Sequence, residues 1–228
     1  MKKKKIILIF ILIIYPFLSY SHVNHYNKIK FIEMDVFRNG KKIGFNKYIF
    51  IEKNNFLLVK NEISFFAKFM GMNLMSVNGS SIETYENGKL VEFKSYTIQN
   101  KKNKFNNLVL DEDKKFYQIK GSSFTGKAPS TAVLGNWWNH NILQSNKIIS
   151  PLSGSLKNQE VHFLSKEILK INNDHYNTSK FKIVLTKNIE DKKKEEFYVW
   201  LDDKSKIILK VSYTKFGNWE YIVKTIKN

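Results

Sequence analysis

The sequence of 228 residues carries 38 basic against 20 acidic side chains, a formal charge of +18, with 43% apolar residues and no cysteine. The missing cysteine excludes a disulfide scaffold, a thiolate metal site, a cysteine nucleophile and a lipid-modified cysteine anchor, while the apolar fraction suffices for one sizeable core. The basic excess does not point to nucleic acid: all of it is lysine except Arg38, and arginine supplies the bidentate fork that reads guanine and grips phosphate.

In chain order, the first segment reads as an address. Lys2 to Lys5 form a positive stretch, Ile6 to Tyr20 an apolar run interrupted by Pro16, and Ser19-Tyr20-Ser21 a small-residue cleavage site. That order predicts a secretory signal peptide over 1–21. The run falls short of the roughly 20 residues that span a bilayer, so a retained anchor is the alternative. The expectation is one β-rich domain over 22–228, periplasmic or secreted, with no transmembrane segment after cleavage.

Beyond it, period-2 alternation recurs between turn signals. Lys30 to Phe37 places Ile32, Met34 and Val36 on one face, and Asn39-Gly40 turns the chain. Ile43 to Ile51 puts Ile43, Phe45, Ile49 and Ile51 on one side; after Asn54-Asn55, Phe56 to Phe66 alternates Leu57, Val59, Ile63 and Phe65. Ile82 to Tyr85 and Leu90 to Ile98 flank Asn87-Gly88, and Leu108 to Leu110 and Phe116 to Ile119 flank a charged turn. Val161 to Ile171, Phe181 to Leu185, Phe197 to Leu201, Ile207 to Tyr213 and Trp219 to Ile226 complete the set, with Glu190 to Glu196 a solvated turn. With Asn-Gly pairs suited to tight hairpins and no crossover helix pattern, the fold class is all-β, a strongly curved antiparallel sheet (an open half-barrel).

Two segments break the alternation. Gly121 to Gly135 is rich in Gly, Ser, Thr and Ala and reads as a long irregular loop. Its Gly121 to Lys127 portion matches part of a phosphate-binding loop, but Ala128 stands where magnesium needs a hydroxyl, so nucleotide binding is not expected. Leu134, Trp138 and Ile142 then fall at helical spacing, which predicts a helix of two or three turns from Trp137 to Gln144, capped by Asn136.

No histidine pair has metal-ligand spacing, so no metal or cofactor is expected. His22 and His25 sit in an expected tail. His140 is the candidate for acid–base chemistry, beside Ser130 and Thr131. The aromatic content, 4 Trp, 11 Tyr and 18 Phe, is the strongest feature: it can fill a core or line an apolar concavity. Adjacent helical residues point about 100° apart, so Trp137 and Trp138 face different surroundings. The candidate ligand-binding set is Tyr85, Ser130, Thr131, Trp137, Trp138 and His140.

Asn39-Gly-Lys-Lys-Ile-Gly44, Glu83-Thr-Tyr-Glu-Asn-Gly-Lys-Leu90, Pro129-Ser-Thr131 with Trp138-Asn139, Leu143-Gln144, the Pro151 to Gly154 turn and Val199-Trp-Leu-Asp-Asp203 occur in that order. In this layout the chain resembles an uncharacterised bacterial family of exported proteins, domain of unknown function 6134. The resemblance implies a curved antiparallel sheet in the cell envelope and brings no catalytic residues. Three functions stay open: a non-catalytic binding protein for a lipid or other apolar small molecule, an envelope module that engages a partner protein, and a hydrolase with a dispersed site around Ser130, Thr131 and His140.

Overall fold

Alternating side chains and short polar turns build one wing of eight strands: β1 (Phe31–Arg38), β2 (Lys41–Lys53), β3 (Phe56–Phe69), β4 (Met72–Glu86), β5 (Lys89–Gln99), β6 (Lys102–Leu110), β7 (Phe116–Gly121) and β8 (Thr125–Pro129). A second wing follows: β9 (Val133–Leu134), β10 (Lys147–Ile149), β11 (Leu156–Ile171), β12 (Asp174–Thr186), β13 (Glu195–Asp202), β14 (Ile208–Thr214) and β15 (Asn218–Lys227). This is a computed structural model, and it describes residues 26, 28–187 and 194–228. The expected signal segment, His22, His25 and Glu190 to Lys193 of the charged turn lie outside the described residues.

All these strands join one open sheet, ordered β8-β7-β6-β5-β4-β3-β2-β1-β15-β14-β13-β12-β11-β10-β9. Each wing is a meander of antiparallel neighbours, except that β9 and β10 run parallel. The first and last strands pair at the middle, with Val36 opposite Tyr221. Asn39-Gly40 and Asn87-Gly88 both take positive φ (49° and 74°; 49° and 76°), the two-residue turn whose twist matches the strands.

The wings curl until they touch. Ser95 Oγ on β5 donates to the Pro151 carbonyl at 2.6 Å, and Asn106 Nδ2 on β6 donates to that of Ser150. Gly121 at the end of β7 lies so close that a Cβ there would stand 2.4 Å from the Ser153 carbonyl oxygen. The concave face therefore becomes the core. Ile32, Met34 and Val36 are buried on it as their alternation requires, as are Leu57, Val59 and Phe65. On β2 Phe45, Ile49 and Ile51 lie on the outer side, Ile43 packs against the core beside a register shift in the β1–β2 pairing, and Asn46, Tyr48 and Phe50 turn inward. Both faces of β2 carry apolar side chains, so alternation alone does not choose between them.

Two local expectations are corrected. The 121–135 segment is not an irregular loop: β8 pairs with β7 from Thr125 to Pro129, and β9 with β10. Backbone pairing holds those strands, which small side chains do not advertise. The helix is one 3-10 turn, His140–Leu143, and its cap is Asn139, whose side chain accepts from the Asn141 N–H. Ahead of it the chain is tied down by side chains: Asn136 and Trp138 donate to Glu83, and the Trp137 N–H donates to Tyr48. Behind it Gln159 Nε2 donates to the carbonyls of Ile142 and Ser145. These bonds replace the ladder a longer helix would need. Among the described residues no helix is long and apolar enough to cross a membrane.

Candidate functional site

Between the wings lies a cavity of about 930 Å³. One wall comes from β3 and β4 (Ile63, Phe65, Met75, Val77) and the facing wall from Phe197, Tyr213, Trp219 and Tyr221 on β13 to β15. Trp137, held by its backbone N–H on Tyr48 Oη at 3.3 Å, closes the inner side. The rings form one ladder: Trp137–Phe197 at 5.5 Å, Phe197–Tyr213 at 5.2 Å, Tyr213–Trp219 stacked at 5.8 Å, and Trp219–Phe65 at 5.7 Å. Offset and edge contacts at these spacings are favourable for ring quadrupoles. The charged members of the lining, Lys157, Lys194, Glu195, Glu196 and Lys215, come from the strand ends and turns at one rim. Glu195 binds Lys157 at 2.5 Å and Lys215 at 3.6 Å, and those ammonium groups hold its carboxylate below the usual range against its burial.

Deeper in the core sits a second cluster. Glu83 on β4 is fully buried and accepts three hydrogen bonds: from Asn136 Nδ2 at 2.6 Å, Trp138 Nε1 at 2.9 Å and Tyr85 Oη at 2.6 Å. Burial pushes its carboxyl up to about 7, against those three bonds, which favour the ionised form. The Tyr85 hydroxyl is pushed up as well, first by its own burial and then by the Glu83 charge. Around it Trp138 meets Tyr26, Phe50 and Tyr85 edge-on, with centroids 5.0–5.7 Å away. Such a saturated carboxyl ties β4 to the 136–138 segment of the other wing, because leaving any of its partners unpaired in the interior is costly.

The candidate residues read from sequence divide accordingly. Trp137 lines the cavity; Tyr85 and Trp138 gather at Glu83. His140 stands beside that cluster, its Nδ1 2.9 Å from Tyr26 Oη. Ser130 and Thr131 lie on the connector between β8 and β9, apart from the cavity lining, with Thr131 exposed. Glu83, Phe197, Tyr213 and Trp219 lie outside the candidate set, and Asn136 enters the sequence reading only as the expected helix cap. For Glu83 a signal existed: a residue two before an inward Tyr85 on the same strand must also face inward.

A family model described as "Domain of unknown function (DUF6134)" matches residues 34–224. No curated protein matches significantly. Among solved structures, a β-barrel-like protein of domain of unknown function DUF1849 from Brucella abortus superposes with a TM-score of 0.61 at 7% identity, covering 88% of this chain and 97% of its own. A protein with YMCC-like fold from Bacteroides fragilis gives 0.36 at 14% identity, covering 87% and 95%. The first of these likenesses concerns the fold.

Proposed function

The chain belongs to the DUF6134 family, and from that premise we propose that it is an exported binding protein that holds an apolar or amphiphilic molecule in the concave face of its sheet. The observation that carries this reading is the five-ring ladder along a cavity of about 930 Å³ with its charges gathered at one rim. Ligand sites are mostly apolar concavities of roughly 300–1,000 Å³ with a few polar groups that orient the ligand. Here an acyl chain or similar body lies along the rings, and a polar head stays at Lys157, Lys215 and Glu195. Export rests on the Lys2 to Ser21 pattern, and the lysine-rich surface keeps the protein soluble.

The test is a titration with a fluorescent fatty-acyl probe. The reading expects saturable binding that Trp137→Ala and Phe197→Ala each weaken about tenfold, the loss of one large ring contact, with the far-ultraviolet dichroism unchanged. Absence of saturable binding, or binding that both substitutions leave intact, would overturn it.

A further inference from the structure

The cavity rim carries an apolar cap that packing does not explain. Phe69, Met70 and Met72 at the β3–β4 turn are 47%, 82% and 69% exposed, and Phe216 at the β14–β15 turn is 74% exposed. Isolated exposed apolar residues are ordinary, but a cluster is informative. These two turns are clustered by Arg38, whose guanidinium donates to the Lys68 carbonyl at 3.0 Å and to that of Phe216, and lies 5.6 Å over the Phe69 ring.

Backbone conformation singles out the same residues. Where the described chain takes positive φ without glycine, the residue is Asn (39, 54, 87, 100, 172) or Lys (101, 114, 206), apart from Met70 at 49° and Phe216 at 52°. Bulky side chains are disfavoured in that region, so the two most exposed apolar residues of this rim stand where asparagine would be the easier choice. Strain of that kind persists where another demand outweighs it.

Charge adds the third observation. The four turns 38–42, 68–73, 99–102 and 214–218 contain seven basic residues and no acidic one, while Glu195 and Glu196 at the start of β13 share the cavity rim, Glu195 paired with Lys157 and Lys215. Lys42 is paired with Asp35 and Lys215 with Glu195; Lys41, Lys68, Lys101 and Lys102 stand on these same turns. Phe216, Lys215 and Asn100 also belong to the cavity lining, so the cap borders the mouth itself.

We propose that this rim docks on an anionic lipid surface, with Phe69, Met70, Met72 and Phe216 entering the headgroup layer and the lysines lying over lipid phosphates. Phe and Met side chains beside lysines suit that interface, where burial of the one and attraction of the other add. The docked orientation faces the cavity mouth to the bilayer, so an amphiphile passes between the two without crossing water. This last point rests on the cavity reading above.

The experiment uses the full gene expressed in a bacterium and the protein recovered from its periplasm, mixed with vesicles of phosphatidylglycerol and phosphatidylethanolamine or of phosphatidylcholine. Co-sedimentation with the anionic vesicles is expected, weakened by added salt, about tenfold weaker in the double variant Met70→Ser/Met72→Ser and roughly fivefold weaker in Lys68→Gln. Fatty-acyl probe binding is measured in the same samples. Loss of vesicle binding in the variants with probe binding retained supports docking. Wild-type protein that binds probe but ignores anionic vesicles overturns docking and leaves the cavity reading standing. Vesicle binding without any probe binding supports docking and overturns the cavity reading. Variants that bind vesicles like the wild type, or a self-associated dimer that the double variant abolishes, overturn docking.

Discussion

Trp137 and Trp138 are neighbours in the chain and belong to different clusters, one at the cavity and one at the buried carboxyl. Their substitutions separate accordingly. Trp138→Ala removes a fully buried ring and its bond to Glu83, costing about 3–5 kcal/mol, seen as a lower denaturation midpoint; Trp137→Ala costs about 1 kcal/mol and shows instead in ligand affinity. Glu83 sets a pH dependence. Its carboxyl is raised in the folded state to about 7 from an ordinary 4.5, so the folded chain binds the proton more tightly than the unfolded one. The stability this group contributes is complete below about pH 4.5 and is lost as pH rises through about 7, a difference of about 3 kcal/mol. Denaturant unfolding at pH 5 and pH 8 reads this slope. Glu83→Gln flattens it; a slope of the same size in that variant would assign it to other groups.

At the scale of elements, the contact between wings depends on a glycine. Gly121→Ala sets a methyl against the Ser153 backbone, and the strain of such overpacking is about 1–3 kcal/mol. Its effect is a lower melting temperature with faster amide exchange at β7 and at the 150–155 turn. Strand existence was legible in sequence wherever apolar residues alternate cleanly, as in β1 and β3. It was poorly legible in β4, read only from Ile82 to Tyr85 although the strand begins at Met72. The missing part holds Asn73, Ser76, Asn78 and Gly79, poor strand formers carried by ladder bonds to β3 and β5. Helix length is poorly legible for a related reason. Leu134, Trp138 and Ile142 share a helical spacing and are all buried, but side chains of Glu83, Tyr48 and Gln159, far away in sequence, hold that segment extended before a single turn. That Trp137 and Trp138 face different surroundings is legible because two adjacent bulky rings diverge in most backbones; which of the two lines the cavity is not. The rest of the ladder comes from four strands, β3, β13, β14 and β15, and requires their register.

The whole molecule is a sheet whose ends curl toward each other, with its terminal strands paired at the middle. That arrangement divides the interior into a sealed half around Glu83 and Trp138 and an accessible half around the ring ladder. The sealed half supplies stability, and the accessible half is left with aromatic surface that the protein itself does not fill. We propose that this surface holds a ligand. The most direct test is the native mass of protein recovered from the periplasm without detergent, set beside the mass of its organic extract. An apolar or amphiphilic adduct near one per chain, lost in Trp137→Ala, is the expected result. A clean mass with an empty extract, from protein that also fails to take up a fatty-acyl probe, would contradict it.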